Sequence, residues 1–283
     1  MKLIADGGST KTEWCLCDEG VLLKRIFTGG MNPYILNDAE ITRLLRNDLL
    51  PMVNSCSVTE IHYYGAGCRD AVIPRVKTLL GNVFPSASSG INVYSDVVAA
   101  ARALFGNESG IACILGTGSN SCYYDGRNIT DGIPPMGYIL GDEGSGAHIG
   151  KTLVNAIFKR RMPQEIIERF KEQTGLTADD VIRRTYRESE PGKFLASLTH
   201  FVGDNISHPE MDRMVTECFR CFFRNNIASY NHGTCKIGAI GSVAFYFNQQ
   251  LQKAGLQEGY EVSRILKSPM SGLLQYHNVI ENN

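Results

Sequence analysis

The first thing this sequence lacks is a surplus of charge of either sign. Its 28 lysines and arginines nearly balance 29 aspartates and glutamates, for a net charge of −1, so there is no basic field to hold nucleic acid or an anionic membrane. It also lacks any apolar run approaching the roughly 20 residues of a membrane-spanning helix. The N-terminus passes straight into a charged strand instead of a signal peptide, so the cytoplasm is the expected location. Zinc spacing is missing as well. Among nine cysteines, Cys15 and Cys17 lie two apart on a strand and Cys218 and Cys221 one helical turn apart, but neither pair has a second pair at ligand spacing. Reduced, mostly buried thiols are the reading that remains. No GxxxxGK[ST] loop occurs and no GxGxxG follows the first strand, which excludes the P-loop and Rossmann phosphate folds on motif grounds.

What is present is a chain of 283 residues, 43% hydrophobic and 20% charged, long enough for two domains that each bury a core, with no low-complexity linker between them. It opens on ADGGSTKTEWCLCDEG at Ala5 to Gly20. The apolar MKLIA before and the alternating Glu13 to Asp18 after read as strands, so the glycines occupy a tight hairpin turn. Gly7 and Gly8 leave no Cβ in the way of a ligand, and Ser9, Thr10 and Thr12 add hydroxyls to a row of backbone amides. Such a concave set of donors suits a phosphate. Asp6 would repel that phosphate unless a cation sits between them, which points to magnesium. An ordinary hairpin whose turn needs glycine is the competing reading of this stretch.

Strands are expected near 2–6, 13–18 and 22–28. A helix follows from Asp38 to Val53, capped by Asn37 or Asp38, then a strand in TEIHYYGAG ending in a glycine turn. A helix over Asp70 to Leu80, the strand INVYSD and a helix from Val97 to Phe105 complete an order of βββαβαβα. A doubly wound sheet does not begin with a three-stranded meander, so a mixed sheet is the better architecture. At Gly110 the pattern restarts with GIACILGTGSNSCYY, and GRNIT supplies a third strand. Two halves that each open on strand, glycine turn and strand would place two phosphate loops face to face across a cleft. The chain then reads as mostly helical from Gly146 to Ser229. KIGAIGS is a buried strand, with a helix from Val243, a strand near Tyr260 to Leu266 and a last helix from Pro269.

The second loop, Leu115 to Ser121, repeats the composition of the first, and two such loops at corresponding places weigh more than one. Asp96 stands where a strand meets a helix. An N-cap accounts for most aspartates in such a position, and the alternative, compatible with it, is a general base able to take the proton of an attacking hydroxyl. GDEGSG at Gly141 to Gly146 puts two carboxylates at a helix start, one more than a cap needs. GAIGSVA at Gly238 to Ala244 opens a helix with Gly241 and Ser242, a turn against which an adenine could lie.

Taken in order, ADGGSTKTE, SDVVAAA, LGTGSNS, GDEGSG and GAIGSVA resemble the superfamily of sugar kinases, actin and heat-shock chaperones. Within it the chain is similar to the N-acetylglucosamine kinases and the related BadF/BadG/BcrA/BcrD-type ATPases. The resemblance spans nearly the whole chain and implies two ribonuclease-H-like, actin-like ATPase domains of α/β class with mixed sheets around a central cleft. Residues 1–106, completed by the C-terminal helix 269–281, would form the first domain and 107–268, with a helical insertion, the second. It implies ATP and Mg2+ as cofactors and an amino sugar as acceptor, with N-acetylglucosamine converted to its 6-phosphate. Asp6, Gly8, Thr10 and Lys11 stand in the first phosphate motif, Asp6 organising the metal through water. Gly116, Thr117 and Gly118 stand in the second, and Gly241 and Ser242 in the adenosine motif. Asp96 matches the catalytic base, and Asn32, Asn120, Gly137 and Asp142 match sugar-binding positions. A homodimer is compatible with the family. Where animal kinases carry glycine-tryptophan-glycine beside the sugar, this chain has Met136 and Gly137, which leaves N-acetylmuramic acid open as a further substrate. A dehydratase-activating ATPase and a non-catalytic sugar sensor are the readings of other class. The first would need cluster cysteines beside the glycine loops, where only Cys122 is found, and the second has no need of Asp96.

Overall fold

The computed structural model describes residues 1–53, 58–230 and 235–281. It divides into two compact units, Met1–Glu108 with Pro269–Asn283, and Ser109–Ser268. In unit 1, β1 (Lys2–Gly7), β2 (Lys11–Asp18) and β3 (Val21–Gly29) form an antiparallel meander. β4 (Glu60–Gly65) and β5 (Ile91–Ser95) add in parallel on the other side of β1, giving the order β3-β2-β1-β4-β5. The mixed sheet anticipated from the meander is therefore present. Alternation along β1 sends Leu3 and Ala5 into a core with Trp14, Ile61 and Tyr63 and leaves Ile4 and Asp6 on the opposite face. Trp14 is fully buried and its indole N–H donates to Thr28 Oγ1 at 3.0 Å. Burying a side chain of that size contributes about 1.5–3 kcal/mol, and the paired N–H leaves no polar cost against it.

Helix α1 (Asp38–Leu44) starts at Asn37, which forms a capping box with Glu40. The single helix expected to reach Val53 loosens after Leu44 into a π turn over Leu45–Leu49 and a 3-10 turn over Leu50–Met52, because Pro51 has no N–H to continue the ladder. Helix α2 (Ile73–Val83) begins three residues later than expected, with Pro74 in its first turn, where proline is pre-shaped for a helix start. Helix α3 (Asp96–Phe105) packs on β1, β4 and β5, and α13 (Met270–Tyr276) returns from the far end of the chain to lie on α3 and β1.

Unit 2 repeats the wiring. β6 (Gly110–Leu115), β7 (Ser119–Tyr124) and β8 (Ile129–Ile133) form an antiparallel meander, and β9 (Ile237–Ile240) and β10 (Val262–Leu266) add in parallel, in the order β10-β9-β6-β7-β8. The expected helical stretch is α4 (Gly137–Leu140), α5 (Gly146–Phe158), α6 (Gln164–Thr174), α7 (Ala178–Tyr186), α8 (Pro191–Ser197), α9 (Thr199–Asp204) and α10 (Pro209–Phe222), while α11 (Ser242–Tyr246) and α12 (Asn248–Gln257) follow β9. Ile111, Cys113 and Leu115 of β6 share a core with Leu153 of α5 and Phe219 and Phe222 of α10. Cys15, Cys17, Cys68, Cys113, Cys122 and Cys218 are buried, whereas Cys56 lies outside the described residues. Among the described residues no group of three or more metal-ligating side chains gathers, and no helix is long and apolar enough to cross a membrane.

Candidate active site

In unit 1 the Gly8–Lys11 turn closes with Gly8 N–H donating to Lys11 O at 2.9 Å. The segment after β3 braces it: Gly30 N–H donates to Thr10 O at 3.0 Å, and the Asn32 side-chain amide donates to Ser9 Oγ at 2.9 Å. Asn32 is thereby fixed beside the Gly8–Lys11 turn, and its Oδ1 accepts from Tyr34 N–H at 3.0 Å. Thr10 and Lys11 are exposed, with Lys11 Nζ 5.2 Å from the centre of the Phe27 ring.

Asp6 pairs across the hairpin with Glu13. Burial, reinforced by the charges of Glu13 and Asp96 and opposed by Lys11, pushes its carboxyl up to about 7. Asp96 is the first residue of α3, and the N-cap position belongs to Ser95. The cap reading of Asp96 is corrected in that respect, although its Oδ1 does accept from Val97 N–H at 2.9 Å. Burial raises its pKa, against the pull of hydrogen bonds from Val97 and its own amide and of the Arg69 charge. Because β1 and β5 run parallel on either side of β4, Asp6 and Asp96 lie at the same, carboxyl end of the sheet, where open α/β sheets receive ligands. Two recessed acids, of which Asp96 helps to raise the pKa of Asp6, call for a cation or a proton, and a carboxylate lifted from its usual range is better matched to accepting one.

In unit 2 the second turn is nailed to the start of α5: Gly146 N–H donates to Gly116 O at 2.8 Å and Ala147 N–H to Thr117 O at 3.1 Å. The cap expected from the acids of GDEGSG is Ser145, whose Oγ accepts from His148 N–H at 3.1 Å, so both carboxylates are released. Asp142, at a left-handed φ of 53°, accepts from the Ser119 amide, yet burial still raises its pKa. A Cβ added to Gly118 would lie 3.0 Å from Asp142 Oδ2. Burial also pushes on Glu143, but bonds from its own amide and from Asn225 and Asn226 outweigh it and hold the carboxyl below its ordinary value.

Gly241, at φ 127°, packs so tightly that a Cβ would lie 2.2 Å from Leu115 O. That close approach joins the GAIGS turn to the LGTG turn. Gly116, Thr117 and Ser242 then line one cavity of about 680 Å³, a size suited to a nucleotide-scale ligand. Its far wall went unforeseen: Lys193, Ser197, His200 and Asp204 of α8 and α9, facing Val243 and Tyr246 of α11. Those four polar residues recur at spacings of four, three and four, a polar stripe that helical periodicity offers as a signal. Two of the residues expected at the sugar site, Asn120 and Gly137, are not drawn to the cavity by any contact among the described residues. Gly137, at φ 75°, is exposed in α4 with nothing near its Cβ position. Asn120 Oδ1 accepts from Ser121 N–H at 2.9 Å.

The known proteins that the chain resembles include three sugar-kinase relatives. A crystal structure of a candidate N-acetylglucosamine kinase from Porphyromonas gingivalis is 41% identical, with 98% of this chain and 99% of that one covered at a TM-score of 0.94. The N-acetylmuramic acid/N-acetylglucosamine kinase of Clostridium acetobutylicum is 28% identical over 76% of this chain and 75% of its own. A candidate N-acetylglucosamine kinase from Chromobacterium violaceum shares the fold at a TM-score of 0.70 and 17% identity, over 97% of this chain and 98% of that one. No family model matches, so the likeness to BadF/BadG-type ATPases rests on the motifs alone.

Proposed function

This chain belongs to the N-acetylglucosamine kinase family, and from that premise we propose that it transfers the γ-phosphoryl group of ATP to the 6-hydroxyl of N-acetylglucosamine. The observation that carries the reading is the recessed pair Asp6 and Asp96 at the carboxyl end of the first sheet. Asp96 takes the proton of the attacking hydroxyl, and Asn32 orients the sugar beside it. The cavity at Gly116, Thr117 and Ser242 holds the nucleotide, with backbone amides of the turns donating to its phosphates.

Magnesium fits this donor set. Asp6 carries a pKa near 7 among acids, as a carboxylate missing its cation would, and Mg2+ binds through one or two carboxylates, several waters and substrate phosphates, not through an all-protein cage. When bound it neutralises charge on the phosphates. N-acetylmuramic acid is the second acceptor to consider, since the Clostridium relative is named for both sugars. The redox reading loses ground because Cys122 is 2% exposed inside the second sheet, out of reach of a cluster at a subunit interface. The test is ADP release from ATP and Mg2+ over a panel of N-acetylglucosamine, N-acetylmannosamine, N-acetylmuramic acid and glucose. N-acetylglucosamine should give the fastest release. Release that is the same with and without every sugar overturns the proposal.

A further inference from the structure

The chain leaves β4 through Gly65, Ala66, Gly67, Cys68 and Arg69, and this turn is locked on both sides. Ala66 N–H donates to Gly7 O of the first phosphate strand at 2.8 Å. On the other side Gly67, at φ 79°, packs so closely that a Cβ would lie 2.6 Å from Asn32 Oδ1. Cys68 is 1% exposed, with its N–H donating to Gly65 O at 3.1 Å, and Arg69 N–H donates to Gly67 O at 2.9 Å. The carbonyl of Arg69 accepts from Val72 and Ile73 N–H, which ties the same residue to the start of α2. A rigid turn wedged between the phosphate strand and the proposed sugar-binding Asn32 thus ends in an exposed arginine. Among the described residues its guanidinium has no ion-pair or hydrogen-bond partner, and its charge acts on Asp96.

An arginine with no partner, held on an ordered turn at the carboxyl end of the sheet, offers five N–H donors in a planar fork that matches phosphate oxygens. We propose that Arg69 is a catalytic residue of this kinase, its guanidinium donating to the non-bridging oxygens of the phosphoryl group as that group passes to the sugar. The inference rests on the kinase reading above. In the step, the sugar 6-oxygen forms its bond to the γ-phosphorus while the bond from that phosphorus to the bridging oxygen of ADP breaks. The hydroxyl proton goes to Asp96, and Arg69 keeps its own protons throughout. The same fork holds the phosphate of the product.

The test compares wild type with Arg69→Met and Arg69→Lys in the full chain. Loss of one oxyanion donor typically costs about 10²–10³-fold in kcat. Arg69→Met should show a fall of that order with the KM values for N-acetylglucosamine and ATP little changed, and Arg69→Lys should recover part of the rate. By calorimetry, Arg69→Met should bind N-acetylglucosamine 6-phosphate about tenfold to a hundredfold more weakly, and the unphosphorylated sugar as wild type does. Unchanged kcat makes Arg69 a solvated surface charge and overturns the proposal. A loss confined to N-acetylmuramic acid, with N-acetylglucosamine turnover intact, overturns it in favour of a carboxylate reader. If wild type phosphorylates no sugar, the kinase reading fails separately, and equal binding of the 6-phosphate by wild type and Arg69→Met overturns the role of Arg69 on its own.

Discussion

The two sheets have the same wiring and opposite chemistry. Each begins with a meander whose first turn is rich in glycine and then adds two parallel strands. One step before the turn, unit 1 pairs Asp6 with Glu13, and the matching step of unit 2 pairs Ile114 with Asn120. Unit 1 thus concentrates titratable groups at its turn, with Asp96 and Arg69 added from β5 and β4. Unit 2 leaves the two strands that flank its turn, β6 and β7, without a charged residue, takes Asp142 from the far side of β8, and opens a cavity with helices inserted after that strand. On the proposed function, the repeated topology divides into a half that handles protons and a half that holds the nucleotide.

The division is tested most severely at Asp96. Asp96→Asn should lower kcat by about 10²–10⁴-fold, the usual cost of losing a general base, while calorimetry shows sugar and nucleotide binding near wild type. Asparagine keeps an oxygen to accept from Val97 N–H and removes a carboxylate whose charged form burial disfavours, so the substitution should not lower the melting temperature at pH 8. Turnover within a few-fold of wild type would assign Asp96 to the helix start alone.

Asp142 sharpens the other half. Asp142→Ala removes a charged hydrogen-bond partner, which should weaken sugar binding about tenfold to a hundredfold. The same carboxylate accepts from the Ser119 amide beside the second turn. If the nucleotide weakens and the sugar does not, Asp142 braces the phosphate turn and has no part in the sugar site.

The sequence already carried the meanders, the glycine turns and the mixed sheets, because strand alternation and turn glycines are local signals. It misplaced both helix caps for one reason. Ser95 and Asp96 adjoin, Asp142 and Ser145 lie three apart, and all four are cap-forming types. Which one caps is set by backbone angles, ψ 162° at Ser95 and 168° at Ser145, and composition does not report those. The cavity wall of α8 and α9 was hidden for a different reason. Phe194, Leu195, Leu198, Phe201 and Val202 announce a buried face, but what the polar stripe behind them faces depends on how the insertion folds back. Arg69 was passed over because the glycine turn before it reads as an ordinary strand end.

Asp6 separates a strained carboxylate from a structural one. Its pKa is raised from 3.8 to about 7, so the folded state holds a proton that the unfolded chain releases, and wild-type stability falls as pH rises from about 4 through 7. Asp6→Asn has no such proton to lose. Without ligands it should melt about 8 °C or more above wild type at pH 8, on a scale of roughly 2–4 °C per kcal/mol, with the gap narrowing by pH 5 and closing only near the unfolded value of 3.8. Mg2+ with ADP should then raise the melting temperature of wild type more than that of the variant. Equal melting at pH 8 would mean that Asp6 is ionised without strain.

The smallest effect concerns how α13 is fastened to unit 1. Tyr64 OH accepts from Arg102 Nη1 at 2.9 Å and lies 2.9 Å from His277 Nε2, so the phenol donates to an imidazole that must be neutral. Burial first, then the charges of His62, Lys2 and Arg102, pushes His277 down to about 3. His62, 4.1 Å away between ring centres, is lowered by burial although Glu60 opposes this. A histidine whose folded pKa is depressed leaves stability intact above 6.5 and removes it as pH falls, because the unfolded chain binds the proton first. After discounting for the partial exposure of His277, the loss between pH 7 and pH 5 should be about 2–4 °C in melting temperature. His277→Asn should flatten that slope, read in an Asp6→Asn background that removes the opposite contribution. An unchanged slope would place the acid sensitivity of unit 1 outside the contact between α13 and the sheet.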